Sequence, residues 1–367
     1  MSVDIYVLGR YPTSETLKDG MVQRIHAVDS LLGEYNRIYV DLSLRHPIFK
    51  TRRINDKVKE ILVNPLFPFF IIFRFLLKAN VIYAHSIHLF KHIPYFRLFL
   101  PRGCNLILDA HGAVPEEMAL YGRGVWARYL GWIEYSVFRR AAHCICVSEA
   151  MRNHFKQKYP TSAVQYHVLF TSKLLEQPVA RIVNSVREQL QLAETDIVLL
   201  YSGNTQKWQN IALMLKSIKK IIQPGIRVII LSGQTLQFRQ MLREFSIDES
   251  LVHVTSVEPK MLGAYYSLAH YGYILRDDIV VNQVANPTKM LEYLQFGLTP
   301  IVKSPNIGDY KMLGCAFLDV DTLDKKMLHP QKNQTNINVA VGMASMIEKF
   351  NMKALIEGGI KSGKFLH

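Results

Sequence analysis

The sequence predicts an α/β protein made of two doubly wound, Rossmann-like domains. Three observations carry that expectation. The chain has 367 residues, enough for two domains of ordinary size. Apolar strand-like runs alternate with longer helical patterns along nearly its whole length, which implies βαβ units and mostly parallel sheets covered on both faces. The alternation pauses once, in "LFTSKLLEQPVARIVNS" at 169–185, which reads as a connector between two similar halves.

In the first half the expected strands are 4–9, 37–42, 58–63, 80–85, 104–109 and 143–148. Helical patterns fall at 20–33, 66–78, 87–99, 116–140 and 149–158. In the second half, strands are expected at 196–203, 227–233, 251–255, 271–276, 299–303 and 315–320. Helices are expected at 208–222, 236–245, 259–268 and 286–296, with another near 338–356 in the tail. The domains therefore divide as 1–172 and 173–367. Two such domains place a cleft between them, and ligands of open α/β sheets bind at the carboxyl ends of strands.

Composition narrows the function. With 49% hydrophobic and 20% charged residues the chain is globular. Four scattered cysteines exclude a disulfide scaffold and fit a reducing cytoplasm. "MSVDIYVLG" enters a strand directly, without a secretory pattern. No uncharged apolar run is long enough to span a membrane. The nearest candidate, 64–80, carries two prolines and Arg74, and reads either as a buried helix or as one lying in a membrane interface. The net charge of +14 is uneven, with +10 on residues 1–175. There, basic residues interleave with aromatics in "FIIFRFLLKAN", "FKHIPYFRLFLPRG" and "RGVWARYLGWIEYSVFRR". That pattern suits an anionic membrane surface. No nucleic-acid module signature is present, so nucleic acid is not an expected partner.

Strand ends locate the candidate chemistry. After the first strand, Gly20 begins a helix and lets a ligand approach the backbone; no GxGxxG follows any strand. His111 lies past the fifth strand, where it can donate to a sugar hydroxyl or phosphate, or act as a base. Glu116 and Glu117 read as helix-start acids. In "YSGNTQKWQN", Gly203 ends a strand and Lys207 precedes a helix, which suits a diphosphate as well as it suits a solvated loop. Arg276 ends another strand, an unusual place for a guanidinium without a partner.

The stretch "NPTKMLEYLQFGLTPIV" (286–302) opens with Asn286 as a cap and Pro287 at the first helical position, and closes with Gly297 past the end. Thr288 and Lys289 then offer unpaired N–H groups to a phosphate, and Glu292 can accept from the vicinal hydroxyls of a ribose. The alternative is a local Lys289–Glu292 pair worth about 0.2–0.5 kcal/mol. Neither "DVD" at 319–321 nor His85, His88 and His92, which lack a nearby acid in the sequence, supports a metal site.

These residues resemble a known family. "ILRDDIVVNQVANPTKMLEYLQFGLTPIV" is similar to the donor-binding segment of GT-B glycosyltransferases of the retaining family 4. Pro287, Lys289, Glu292, Tyr293, Gly297, Pro300 and Ile301 match its pattern P-x-K-x-x-E-Y-x-x-x-G-x-P-V/I. "YSGNTQKWQN", "HCICVSEAMRNHF" and "DGMVQRIHAVDSLL" resemble three further segments, in the family's order.

The resemblance implies a GT-B fold, with acceptor binding in the first domain and nucleotide-sugar binding in the second. It implies Glu292 on the ribose, and Lys207 on the diphosphate with Arg276 as second cation. Backbone at Thr288 and Lys289 would meet phosphate, Gly20 would approach the donor, and His111 would contact the transferred sugar. It implies no metal and no cofactor beyond the nucleotide-sugar co-substrate. The expected acceptor is a glycan or lipid-linked glycan at the cytoplasmic face of the inner membrane, in surface-polysaccharide synthesis. The chain departs from the family at Val284, where a paired glutamate is usual, and at Asn204, where an arginine is. A nucleotide-sugar epimerase and a non-catalytic membrane scaffold of the same fold remain alternatives.

Overall fold

The computed structural model describes residues 4–13, 20–46, 48–64, 79–92, 103–171 and 174–363. The expected helix at 66–78 and most of the one at 87–99 lie outside them. The chain forms two compact units, 1–171 with 347–367, and 172–346.

The first unit contains a sheet of eight described strands. Along the chain these are β1 (Asp4–Leu8), β2 (Asn36–Leu42), β3 (Phe49–Arg53), β4 (Val58–Val63), β5 (Val81–His85), β6 (Asn105–Ala110), β7 (His143–Cys146) and β8 (Gln165–Val168). Their spatial order is β3-β4-β2-β1-β5-β6-β7-β8. Every pairing is parallel except β3 with β4. β5 and β6 are buried at every position, as expected of strands covered on both faces. The chain order reverses direction between β1 and β5, so a ligand site is expected at their carboxyl ends.

Two strands are additions to the sequence reading. "FKTRR" of β3 is charged and exposed, which hides it from a search for apolar runs. It survives as an edge strand because Arg52 opposes and pairs with the buried Glu60 of β4. β8, "QYHV", is the opposite edge and is only half-buried.

The unit's helices are α1 (Gly20–Leu31), α2 (Val114–Leu120), α3 (Gly124–Phe138) and α4 (Glu149–Lys158). The single helix expected over 116–140 is two. Gly122, at φ +70°, stops α2. Its N–H bonds to the Ala119 carbonyl, and the Arg123 N–H bonds to the Met118 carbonyl, the paired closure that ends a helix at a left-handed residue. Ser148 caps α4 by accepting from the Met151 N–H.

The second unit is a six-stranded parallel sheet. Its strands are β9 (Ile197–Ser202), β10 (Ile226–Leu231), β11 (Val252–Thr255), β12 (Tyr271–Ile274), β13 (Thr299–Val302) and β14 (Leu318–Asp319). The order β11-β10-β9-β12-β13-β14 is doubly wound and reverses between β9 and β12. Its helices are α5 (Ala180–Gln189), α6 (Ile211–Ile221), α7 (Thr235–Glu244), α8 (Leu262–Leu268), α9 (Val280–Gln283), α10 (Thr288–Gln295) and α11 (Gln334–Glu348). Its core is aliphatic, with Leu199, Met214, Leu215, Ile218, Val228, Ile230 and Ile301 fully buried.

The connector 169–185 is not wholly irregular: α5 begins at Ala180, and ahead of it Gln295 of α10 clasps the backbone of Leu175 at both N–H and carbonyl. The tail does not stay with the second domain. Past α11, Asn351 accepts from the Ala354 N–H and opens α12 (Met352–Gly363). Met352, Leu355 and Ile356, at helical spacing, complete the first unit's core beside Ile5, Val81 and Ile107. Asn105 Nδ2 holds the carbonyl of Leu355 at 3.2 Å.

Candidate active site

Within the second unit, the carboxyl ends of β9 and β12 and the start of α10 converge. α10 is seated by Tyr293, which is fully buried. Its hydroxyl accepts from the Ser202 N–H at 2.9 Å, and its ring lies on Gly272 of β12, where a Cβ would fall 2.4 Å from Cδ2. Behind it, Gly297 at φ +69° and Leu298 close the helix by bonding the Leu294 and Tyr293 carbonyls. Met290, Leu291 and Leu294 bury the opposite side.

The helix start differs from the expectation. Pro287, not Asn286, is the cap, and no side chain caps it. Asn286 Oδ1 instead accepts from the Tyr310 hydroxyl at 2.5 Å. Among the described residues the Thr288 and Lys289 N–H groups have no acceptor, so the helix presents free donors and the positive end of its dipole together.

Lys289 is largely buried and donates through Nζ to the Ser202 carbonyl. Burial lowers its pKa, Glu292 opposes that, and Arg276 adds to it. Glu292 makes no ion pair with Lys289. Its Oε2 accepts from the hydroxyl of the buried Tyr266 at 3.0 Å. Burial raises the Glu292 carboxyl, with Tyr266 and Lys289 pulling the other way. Arg276 is also largely buried, and burial lowers its pKa while Tyr310 and Tyr201 raise it. Its one side-chain bond among the described residues is a long one, 3.4 Å to Asn282 Oδ1. Asn282 is itself fixed by the Asp277 carbonyl. Two partly buried cations, Lys289 and Arg276, thus lie close to each other, with one carboxylate, Glu292, beside Lys289. A desolvated excess of positive charge beside free helix N–H groups is a place for an anion.

Gly203 belongs to this cluster for a steric reason. A Cβ there would meet the Tyr201 hydroxyl at 2.5 Å and Lys289 Nζ at 3.0 Å. Lys207 does not join it: it lies exposed in a short 3-10 turn, Lys207–Gln209, and no hydrogen bond or ion pair ties it to Arg276, Lys289 or Glu292. The lysine beside the glycine turn is Lys289, contributed from later in the chain. Val284 is buried at the end of α9.

In the first unit, Gly20 is the first residue of α1, and His111 sits just beyond β6 in a second polar cluster. Parallel register sets Asp109 directly beside His85. Asp109 Oδ2 faces His85 Nδ1 at 3.2 Å and His111 Nε2 at 3.1 Å. Asp109 Oδ1 accepts from Arg24 Nε at 2.9 Å and Nη2 at 2.6 Å, and Arg24 Nη1 reaches the Leu169 carbonyl. Burial would raise the Asp109 carboxyl, but Arg24, His111 and His85 hold it well below the usual range. Burial keeps His85 neutral by lowering its pKa.

His85, Asp109 and His111 offer three converging donor atoms. Two features fit a metal poorly. Arg24 places a full positive charge on the same carboxylate, and His85 Nε2 and His111 Nδ1 have no partner to orient them as metal ligands. The arrangement acts instead as an anchor, with Asp109 fixing the His111 ring. Arg24 and Asp109 carried no signal when read singly. Equal positions on neighbouring parallel strands could have paired His85 with Asp109. Tyr266 and Tyr310 had no such signal.

Comparison with known proteins follows the same lines. A family model described as Glycosyltransferase Family 4 matches residues 15–171. No curated protein sequence matches the chain. Solved structures share its fold at low identity. Alr3699/HepE from Anabaena in complex with UDP-glucose has a TM-score of 0.62 and 12% identity, covering 99% of this chain and 100% of that one. An E. coli structure described as trehalose-6-phosphate bound with UDP-2-fluoro glucose has a TM-score of 0.64 and 10% identity, covering 99% of both chains. WaaG, a glycosyltransferase involved in lipopolysaccharide biosynthesis, has a TM-score of 0.60 and 10% identity, covering 99% of this chain and 100% of that one. The first unit thus matches the family-4 glycosyltransferase model, and the chain along its whole length has the GT-B fold of these solved structures.

Proposed function

We propose that the protein transfers a sugar from a UDP-sugar to a hydroxyl of a glycan or lipid-linked glycan, with retention and without a metal ion, in surface-polysaccharide synthesis. The observation that carries the donor half is the buried Arg276–Lys289 pair beside the free N–H groups of α10, with Glu292 one turn on. The UDP-sugar complexes of Alr3699/HepE and of the E. coli protein support that choice of nucleotide. The role of WaaG supports the class of acceptor.

In this reading Lys289, Arg276 and the start of α10 hold the diphosphate, with Lys289 in the role that resemblance gave Lys207. Glu292 accepts the ribose hydroxyls through Oε1, because Tyr266 occupies Oε2. When the sugar–phosphate C–O bond breaks, positive charge grows on the sugar and negative charge on the leaving phosphate. The two cations and the helix dipole stabilise that leaving group. The acceptor oxygen forms the new bond on the same face, and its proton passes to the departing phosphate oxygen. His111 is assigned to the transferred sugar, held in place by Asp109. The acceptor belongs at an anionic membrane surface on the cytoplasmic face. Among the described residues no helix is long and apolar enough to cross a membrane.

A thermal-shift screen of UDP, GDP and their sugars tests the donor. UDP-sugars should raise the melting temperature of wild type and not of Glu292→Ala. A shift that survives in Glu292→Ala contradicts the assignment. An epimerised nucleotide sugar formed without acceptor would favour epimerase chemistry.

A further inference from the structure

The α2–α3 hairpin carries an exposed face that the donor site does not use. Along α3, Trp126, Tyr129 and Trp132 form a continuous row, with ring centroids 5.8 and 6.4 Å apart. Trp126 and Trp132 are about half exposed, at 55% and 50%, so the row buries only one side of itself. Three residues past Trp132, the Arg139 guanidinium sits 5.6 Å over the ring of the exposed Tyr135. Val125, 78% exposed, and Leu120 on α2 add aliphatic surface at the hairpin's tip. Leu130, Ile133 and Val137 of α3 are buried; Trp126 continues their stripe into the exposed first turn, while Arg128, Trp132 and Arg139 lie on the helix's outer side.

The charge on that face has one sign. Arg123, Arg128 and Arg139 are exposed and make no ion pair among the described residues. The hairpin's one acid between residues 119 and 140 is Glu134, fully buried and bound to Lys158 and to the Tyr159 hydroxyl, each at 2.5 Å. An acid-free stripe of arginines among tryptophans and tyrosines matches the headgroup layer of an anionic bilayer. Indole and phenol rings sit at that depth, and guanidinium groups reach phosphate. A second copy of this face is a poor occupant, because two-fold pairing would set like charges together.

We propose that this hairpin face docks on anionic phospholipid, with Trp126 and Trp132 inserted at headgroup depth. The proposal rests on the membrane-acceptor part of the proposed function and not on the donor chemistry.

Vesicles of phosphatidylglycerol and phosphatidylcholine test it by co-sedimentation with the full chain. Wild type should bind at low salt, release in high salt, and ignore pure phosphatidylcholine vesicles. Arg123→Ser/Arg128→Ser should weaken binding about thirtyfold, since each basic residue near an anionic surface contributes about a fivefold factor. Trp126→Ala/Trp132→Ala should weaken it comparably. The chain has three tryptophans. Binding should therefore blue-shift wild-type emission but leave the double tryptophan variant, which keeps only Trp208, unshifted. Both pairs are exposed, and unchanged UDP binding without vesicles checks that each variant is folded. Absence of wild-type binding, or equal binding by the variants, overturns the proposal. So does a dimer that dissociates in the tryptophan variant, or binding to a DNA duplex but not to vesicles. UDP binding measured in the same samples separates any of these from failure of the donor assignment.

Discussion

Lys289 and Glu292 stand one turn apart on α10, and each is committed elsewhere, Lys289 to the Ser202 carbonyl and Glu292 to Tyr266. Burial and not mutual pairing sets their chemistry. Burial raises the Glu292 carboxyl, and the Tyr266 hydroxyl counters it. Glu292 must be ionised to accept two ribose hydroxyls well, so UDP affinity should fall as pH drops through its pKa. Tyr266→Phe removes the bond that favours the charged form. Calorimetric titrations across pH should place that fall at higher pH in Tyr266→Phe than in wild type, with affinity at neutral pH weakened by about 0.5–1.5 kcal/mol. Identical profiles would remove Tyr266 from the site. At the same scale, Asp109 fixes His111, and His111→Ala should lower turnover while leaving UDP binding unchanged.

The elements around this site were legible in the sequence where one local rule sufficed. β4 and α4 fall where the hydrophobic pattern placed them, and the Gly297 stop works as expected. The reading failed where a partner distant in sequence decided the outcome. β3 is a strand because Arg52 meets Glu60, and α12 belongs to the first unit because three apolar residues fit that core. Asn286 looked like a cap but is held by Tyr310. The closeness of Lys289 to Gly203 in space is hidden by their distance in sequence, where Lys207 is the nearer lysine. The donor cluster lies at the second sheet's reversal point and the His85–Asp109 cluster on the strand pair beside the first sheet's, positions that strand order locates and sequence alone does not. The Tyr293–Gly272 contact yields an element-scale prediction. Gly272→Ala forces a Cβ into the ring that seats α10, and should destabilise the protein by about 1–3 kcal/mol in urea unfolding. Unchanged stability would show that α10 is seated otherwise.

Across the whole molecule, buried and half-buried histidines tie stability to pH. His270 accepts the Val198 N–H through Nδ1, and burial, with Lys332 and Arg187, pulls it down to about 4. In the other unit His143 is pulled down to about 4 by burial and His167. Between about pH 4 and 6.5 the unfolded chain binds these protons and the native chain does not. Stability should therefore be full above about pH 6.5 and fall as pH drops toward 4. The low Asp109 pKa extends the loss to still lower pH. Melting curves should show the decline, and Val or Gln at position 270 should flatten part of it; a flat wild-type profile would contradict these native-state shifts.

In the proposed donor site Lys289 and Arg276, not Lys207, hold the diphosphate beside Glu292. Calorimetric titration of UDP into wild type, Lys289→Ala and Lys207→Ala decides between the two lysines. Losing a buried charge-assisted contact should cost about 1.5–3 kcal/mol in Lys289→Ala, roughly a ten- to hundredfold weaker Kd. Lys207→Ala should stay within about twofold, as an exposed charge does. Full affinity in Lys289→Ala with loss in Lys207→Ala would move the diphosphate to Lys207.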